Sequence, residues 1–153
     1  MLNEKFRLLH LEDNVSDIEL LRYDLEKQFP NIEYRAAETK TQFVKLLSEE
    51  QFDIVLTDYN VPGFAGLEAI ELVNTHQPTS STVYVSGHLD EQLAIECLQA
   101  GAVDYVMKFS LDKLPLTLVR ILNERRVRKE RKQAEERLLE AQRIAKLGHY
   151  LYK

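Results

Sequence analysis

The sequence predicts an α/β protein with a doubly wound, five-stranded parallel sheet of strand order 2-1-3-4-5 and five helices. Short apolar stretches alternate with amphipathic segments, at about 20–25 residues per unit, as expected for βαβ repeats. Right-handed crossovers leave few topologies, and the flavodoxin-like order suits five strands best. The 153 residues, 44% of them hydrophobic, suit one such domain with some chain to spare.

The predicted strands are the most apolar or β-branched stretches, each followed by turn residues or a helix cap. They are Arg7–Leu11, Ile32–Ala37, Phe52–Thr57, Thr82–Val85 and Val103–Met107. The third is the most apolar and runs directly into Asp58, which Asn60, Pro62 and Gly63 follow at once. This strand therefore presents a carboxylate at its C-terminal edge, where open α/β sheets bind ligands. An aspartate that only starts a turn is the alternative.

The predicted helices follow the strands and carry apolar residues at helical spacing. Their start signals are Asn14 or Ser16 for the first helix, Thr39 or Thr41 for the second, Gly66 for the third, Asp90 for the fourth and Asp112 for the fifth. Stop signals are Pro30 after the first, Pro78 after the third and Gly101 after the fourth. The fifth helix has no such signal before Lys146, because Pro115 falls in its first turn, where proline is tolerated.

The charge distribution separates two parts of the chain. Residues 1–123 carry 10 Lys and Arg against 20 Asp and Glu, whereas residues 124–153 carry 10 against 5. An acidic body is a poor nucleic-acid binder, and the basic tail lacks interleaved aromatic residues until its end. Cys97 is the only cysteine, so no intramolecular disulfide is formed. We expect no membrane span, no secretory signal and a cytoplasmic location.

The predicted linker helix over residues 124–146 has a sparse apolar seam. Ala134, Leu138, Ala141 and Ala145 repeat at seven-residue intervals, which fits a coiled coil and a homodimer through this helix. Arg131 interrupts the seam. A solvated single helix stabilised by charge pairs is the alternative, and nucleic-acid contact by the basic run at 125–129 is a weaker one.

Polar residues stand at the ends of four predicted strands. They are Glu12 and Asp13, then Asp58, then Ser86, then Lys108. Parallel strands deliver these residues to one edge, so we expect three carboxylates, a hydroxyl and an ammonium to converge. Singly, each has an ordinary explanation, such as a helix cap or a surface lysine. Together they indicate a chemical site.

Such a cluster predicts a divalent cation, because packed carboxylates repel one another without one. Mg²⁺, or Mn²⁺, suits oxygen ligands shared with a phosphate. Lys108 and Ser86 supply a cation and a donor for phosphoryl oxygens. The set suits an aspartate, Asp58, that attacks a phosphoryl group and holds it as an acyl phosphate.

Residues 6–122 resemble the receiver domain of bacterial two-component response regulators. The resemblance is carried by the acidic pair at 12–13, Asp58 with its following Pro-Gly, Ser86-Gly87, and the stretch Ala100–Lys108. It implies that a histidine kinase or histidine phosphotransferase phosphorylates Asp58. It also implies Mg²⁺ bound by Asp13, Asp58 and the backbone carbonyl of Asn60, with Glu12 acting mainly through water.

The resemblance further implies a switch. Ser86 would move to bind the phosphoryl group, Lys108 would pair with it, and Tyr105 would turn inward, altering the surface of the fourth helix, fifth strand and fifth helix. A tyrosine that only packs at a strand edge is the alternative for Tyr105. Asn60 and His88 flank the site and are hypothesised to tune the lifetime of the phosphoryl group by placing water.

One departure from the family concerns the residue after Lys108. The family usually has proline there, whereas this sequence has Phe109, so we expect a differently shaped loop after the fifth strand. Residues 134–150 resemble the linker and opening of a PAS sensory domain. The predicted organisation is therefore a receiver at 1–123, a linker helix at 124–146 and the start of a truncated PAS-like domain at 147–153, cut from a multidomain sensor kinase or response regulator.

Two other function classes stay open at this point. A receiver-shaped interaction module without phosphorylation would fail to bind Mg²⁺. A hydrolase with an aspartyl nucleophile usually needs a second acid two residues later, where Asn60 stands. We expect no enzyme activity of this chain beyond self-phosphorylation from a donor and slow dephosphorylation, and a PAS or kinase-type module downstream as the output.

Overall fold

The protein is described here by a computed structural model covering residues 3–64, 67–87 and 90–151. The chain divides into two compact units, residues 1–117 and residues 118–153. The predicted boundaries at 123 and 146 remain predictions.

The first unit is built on a parallel sheet whose five strands, in the described residues, match the predicted ones with ends that differ by at most two residues. They are β1 (Phe6–Leu11), β2 (Ile32–Ala37), β3 (Ile54–Asp58), β4 (Ser81–Ser86) and β5 (Asp104–Met107). The strand order is β2-β1-β3-β4-β5, and every pairing is parallel. The predicted fold class is therefore confirmed.

Helices follow the strands as the alternation predicts. The α-helices of the described chain are α1 (Val15–Gln28), α2 (Lys40–Glu49), α3 (Glu68–His76), α4 (Glu91–Gln99) and α5 (Leu114–Leu151). Asn14 and not Ser16 caps α1, Thr39 and not Thr41 caps α2, and Asp90 caps α4. In each case the side-chain oxygen accepts a backbone N–H three residues later, at 3.1–3.2 Å, which satisfies a free donor of the first turn.

The two faces of the sheet are covered by different helices. Leu9 and Leu11 of β1 and Val55 of β3 pack in one cluster with Phe43 of α2 and Val73 of α3. Side chains of a strand alternate between faces, so the intervening residues Leu8, His10, Ile54 and Leu56 point to the opposite side. A doubly wound sheet results, and its strand ends open at one edge.

The segment after β5 differs from the prediction. A helix was expected to start at Asp112, but Lys108–Lys113 forms a short 3₁₀ helix and α5 begins at Leu114. Pro115 still lies in the first turn of α5, where its missing N–H costs no helical bond. Ser110 within this segment has non-helical backbone angles (φ −122°, ψ 33°), so the residues after Lys108 form two short helical turns joined by a kink.

The second unit, residues 118–153, is helical throughout its described part. α5 continues through Gly148 to Leu151, beyond the predicted end at Lys146. Leu138, Leu139, Ile144 and Leu147 are all exposed on it. No helix in the described ranges is both long and apolar enough to span a membrane.

Candidate functional site

The acidic pair follows β1 directly. The backbone N–H of Glu12 donates to the carbonyl of Ala37 at 3.0 Å, so the pairing with β2 continues one residue past the strand. This contact holds Glu12 in the sheet, and its side chain is only 1% exposed. Asp13 is exposed at the edge, and Asn14 then caps α1. The two carboxyl groups of the pair thus occupy different depths of the site.

Asp58 is the last residue of β3 and is almost fully buried. Its Oδ1 accepts the backbone N–H of Asn60 at 3.0 Å, and its Oδ2 lies 2.6 Å from the Nζ of Lys108. The N–H of Tyr59 donates to the carbonyl of Val85 at 3.1 Å, which extends the pairing with β4 past the end of β3. Both oxygens of Asp58 are consequently fixed in direction.

Lys108 reaches this cluster from the first turn of the 3₁₀ helix. Its Nζ also lies 3.0 Å from Oε1 of Glu12 and 3.6 Å from Oδ2 of Asp17. Burial opposes ionisation of this amine, but Asp58 and Glu12 raise the pKa of Lys108 above its ordinary value. The ammonium of Lys108 therefore stays charged beside Asp58 and Glu12.

The three predicted carboxylates come together. One oxygen each of Glu12, Asp13 and Asp58 lies within 4.8 Å of the others. The second oxygen of Glu12, Oε2, is buried without a hydrogen-bond partner among the described residues. A buried carboxylate oxygen without a partner is costly, and a hard cation with its bound water would satisfy it. The donor set therefore fits a divalent cation.

Without a bound cation, the carboxyl groups of Glu12 and Asp58 differ in their pKa values. Burial, and then the neighbouring Asp58 carboxylate, raise the pKa of Glu12 to about 9. Burial also acts on Asp58, but contacts with Glu12, the Asn60 N–H and Lys108 keep its pKa below the usual value. Asp58 is thus the ionised carboxylate of the pair and the better nucleophile at neutral pH.

His10 lies under the acidic group and was not singled out by the sequence. Its Nδ1 is hydrogen bonded to the phenol oxygen of Tyr34, and both side chains are buried. Burial lowers the pKa of His10 to about 4, so the ring is neutral at pH 7. A neutral ring here contributes packing and not charge to the site.

Ser86 and Tyr105 take the positions that the sequence assigned to them. Ser86 ends β4, is fully buried, and is paired with Met107, one residue before Lys108. Tyr105 is half-buried on β5 and packs against the cluster formed by Ile70, Tyr84, Leu93, Cys97 and Ala102. The structure thus puts the hydroxyl of Ser86 at the same sheet edge as Asp58, and the ring of Tyr105 against residues of α3 and α4.

Two further predicted residues bear less on the geometry. Asn60 contributes its backbone N–H to Asp58, while its carbonyl as a cation ligand stays a prediction. His88 lies outside the described residues.

Asp17 was not predicted as a site residue. It lies in the first turn of α1, four residues after Asp13, and this spacing on a helix that leaves the site was the available signal.

The fold is that of a flavodoxin-like α/β domain. At the carboxyl edge of its sheet, acidic side chains that suit a cation surround an aspartate. Residues 8–118 match the family described as response regulator receiver domain. The chain belongs to this family, and the prediction of a phosphoaccepting module of two-component signalling is confirmed at that level.

Known relatives agree with this assignment. The DNA-binding transcriptional regulator NtrC of Proteus hauseri is 29% identical over 124 residues, which are 79% of this chain and 26% of that protein. A response regulator structure from Burkholderia pseudomallei, with a phosphorylated aspartic acid, a calcium ion and citrate, is 25% identical with a TM-score of 0.62 over 69% of this chain and 60% of that one. A CheY-like receiver domain from Methanospirillum hungatei JF-1 is 25% identical with a TM-score of 0.66 over 79% and 99%.

The chain spans only about a quarter of the length of the curated NtrC relative. That relative is a transcriptional regulator, whereas the sequence here predicts a sensory or kinase-type output. The name of the relative does not extend to the output module of this chain.

Proposed function

We propose that Asp58 accepts a phosphoryl group from a phosphohistidine of a histidine kinase or histidine phosphotransferase. The observation that carries this is the 2.6 Å contact between Asp58 Oδ2 and Lys108 Nζ inside a group of three carboxylates. An oxygen of Asp58 attacks phosphorus and forms a new O–P bond. The P–N bond to the histidine breaks, and its electron pair stays on the ring nitrogen.

The carboxylates are proposed to hold Mg²⁺, for which Mn²⁺ is a chemical substitute. Asp13, Asp58 and the backbone carbonyl of Asn60 would bind it directly, and Glu12 would act mainly through water. The buried, unpartnered Oε2 of Glu12 supports this assignment, because bound water would supply its missing hydrogen bond. When bound, the cation neutralises charge on the phosphoryl oxygens.

Lys108 and Ser86 are proposed to bind the remaining phosphoryl oxygens. Lys108 already faces Asp58, and Ser86 ends the strand next to β3. Movement of the Ser86 hydroxyl toward the phosphoryl group would leave space on the side of β4 and β5, and Tyr105 would turn into it. The surface formed by α4, β5 and α5 then carries the signal, and Asn60 and His88 tune how long it lasts.

The output is proposed to be a PAS or kinase-type module downstream of α5, in a longer multidomain protein. The support is the resemblance of residues 134–150 to the opening of a PAS domain. Pairing of two copies through the seam at Ala134, Leu138, Ala141 and Ala145 is proposed as well. Leu138 is 60% exposed, so this seam has apolar surface to bury.

The direct test is labelling of Asp58 by a small phosphodonor. With phosphoramidate and Mg²⁺, we expect one phosphoryl group per chain by intact-mass measurement, and none in Asp58→Asn. Asp53→Asn is the matched control, because Asp53 immediately precedes the same strand at its opposite end and accepts the backbone N–H of Arg7 at 2.8 Å, which an asparagine oxygen can also do. Labelling of Asp58→Asn at the native rate, or no labelling of the native chain, would refute the assignment. The second result would favour an interaction module of receiver shape.

A further inference from the structure

The seam proposed on α5 extends further toward the N-terminus of the second unit. Carried back by seven residues from Ala134 and Leu138, the repeat places Val127 and Arg131 in the same seam. Val127 is 47% exposed and Leu138 is 60% exposed. The seam therefore has two large apolar side chains, and a cation and a small residue lie between them.

Four charged residues flank this seam. Arg128 and Glu135 each directly follow a seam residue, so they lie along one flank. Glu130 and Arg137 each directly precede a seam residue, so they lie along the other flank. All four side chains are exposed, and the described residues of this chain give none of them an ion pair or a side-chain hydrogen bond. These charges are therefore free to pair with a second molecule.

The order of the charges favours a second copy of this chain as that molecule. Each flank carries one cation and one anion, seven residues apart. Such a flank is complementary to itself when its direction is reversed. A twofold contact brings the same surface of two copies together, so it can use this complementarity.

A parallel pair would bring like charges together. With two helices in register, Glu130 of each copy faces Glu135 of the other across the seam, and Arg131 faces Arg131. Repulsion at these contacts opposes association, and the twofold symmetry forms the contact between the glutamates twice. The flanking charges therefore disfavour parallel pairing.

An antiparallel pair suits the seam residues. With Val127 of each copy opposite Leu138 of the other, an apolar contact forms at both ends of the overlap. Arg131 then lies opposite Ala134, whose small side chain leaves room for the guanidinium to extend to solvent. The two Arg131 side chains lie in different layers of this contact.

The same antiparallel register pairs all four flanking charges with their opposites. Glu130 faces Arg137 of the second copy, and Arg128 faces Glu135. A shift by one heptad in one direction would bring Glu130 against Glu130, and a shift in the other direction would bring Arg137 against Arg137. Charge therefore selects the register as well as the orientation.

We propose that two copies of this chain pair antiparallel along α5, with Val127 of each copy opposite Leu138 of the other. The proposal rests on the pairing through the seam that is part of the proposed function, and it adds the orientation and the register. The two chains leave this contact at opposite ends. Ala145 of one copy lies about 38 Å along the axis from Ala145 of the other, so modules that follow α5 are held apart.

Charge reversal at Glu130 separates the two orientations by sign. In the antiparallel pair, Glu130→Arg creates repulsion with Arg137 twice, so we expect the dimer Kd to rise about tenfold or more in sedimentation equilibrium at low ionic strength. Adding Arg137→Glu to this variant should restore the native Kd. In a parallel pair, Glu130→Arg would instead lower Kd, because it would attract Glu135. Glu136→Arg is the matched control, since it changes the charge equally at an exposed residue away from the seam.

Cysteine pairing tests the register in the full chain, on a Cys97→Ala background. Val127→Cys and Leu138→Cys chains, one of them carrying a mass tag, are mixed in a glutathione redox buffer. We expect the disulfide between the two kinds of chain to exceed those between like chains about tenfold, because like positions lie about 16 Å apart along the axis. Lys129→Cys mixed with Glu136→Cys is the matched control, because these positions have the same axial match on the outer face of the helix.

The outcomes separate the orientation from the pairing itself. If disulfides between like chains dominate, or Glu130→Arg tightens the dimer, antiparallel pairing is refuted and pairing through the seam survives. If the native chain is monomeric at every concentration and no disulfide exceeds the outer-face control, the proposed pairing is refuted, and the orientation with it.

Discussion

Lys108 Nζ lies 2.6 Å from Asp58 Oδ2, and this contact joins the end of β3 to the turn that follows β5. Because both partners are ionised, it neutralises the carboxylate before any donor arrives. We propose that the same ammonium binds the phosphoryl group once Asp58 is phosphorylated.

Replacing the ammonium should slow phosphorylation. In Lys108→Met the stem is kept and the charge is lost, so we expect the rate with phosphoramidate and Mg²⁺ to fall about 100-fold, as for loss of one preorganised donor. Lys113→Met is the control, since Lys113 ends the same 3₁₀ helix and is exposed. Equal rates in the two variants would contradict the role of Lys108.

Glu12 should tune cation affinity. Glu12→Gln keeps the size of the side chain but cannot become a carboxylate when a cation binds, so we expect Mg²⁺ to bind about 10- to 100-fold more weakly. The measurement is the rise in Tm on adding Mg²⁺, which EDTA reverses. At a Mg²⁺ concentration of 100 times Kd, the corresponding stabilisation is about 2.7 kcal/mol. Glu19→Gln, an exposed change on α1, should leave that rise unaltered. A native-like Mg²⁺ response in Glu12→Gln would remove Glu12 from the site.

Gln77 should be a main determinant of stability. Its buried amide donates to the carbonyl of Leu47 and accepts from the N–H of Phe52, both at 2.8 Å, so the residue after α3 is tied to α2 and to the segment before β3. Gln77→Ala leaves these groups unpaired, so we expect the free energy of unfolding to fall by about 2–4 kcal/mol in urea. Gln51→Ala, at an exposed residue with one long bond to Thr79, should cost far less. Equal losses would mean that the buried amide adds nothing.

Cys97 should make stability fall in alkali. Burial raises the pKa of this thiol to about 11 from an ordinary value of 9, so the unfolded chain loses the proton first. Its contribution is complete below pH 9 and is lost as pH rises toward 11. The stability advantage of the native chain over Cys97→Ala should therefore shrink across this range in urea titrations. The other alkaline groups, including the buried Tyr34 and Tyr84, are common to both proteins and cancel in the difference. A constant difference would contradict the prediction.

The proposed dimer contact along the seam on α5 can be tested by comparing Leu138 with its neighbour Leu139. Leu138→Glu places a charge on the proposed dimer contact, and we expect self-association to weaken about tenfold or more by light scattering. Leu139→Glu has the same composition one position off the seam, and Leu139 is equally exposed. A native chain that is monomeric at every concentration, or equal effects of both variants, would contradict pairing through this seam.

Much of the fold was predictable because local signals agreed with packing. Ile32–Ala37 was predicted with the bounds that β2 has, since turn residues mark its start and Thr39 caps the helix that follows. The choice of Asn14 over Ser16 needed backbone geometry, because both residues have a suitable oxygen. Convergence of Glu12, Asp58 and Lys108 was predictable because strand ends of a parallel sheet share one edge.

The rest depended on tertiary packing. No glycine or proline punctuates the residues just after Lys108, so the 3₁₀ helix had no signal in the sequence. The contact of Asp17 with Lys108 depends on how α1 leaves the sheet. A cavity of about 490 Å³ beside Asp58 is lined by residues of α1 and of the segment after β5, so no single segment encodes it.

The neighbouring residues Lys108 and Phe109 differ in how firmly their side chains are held. Lys108 is anchored to two carboxylates, while Phe109 is largely exposed and lacks any such anchor in the described contacts. A substitution at Phe109 therefore leaves the contacts of Lys108 with Asp58 and Glu12 in place.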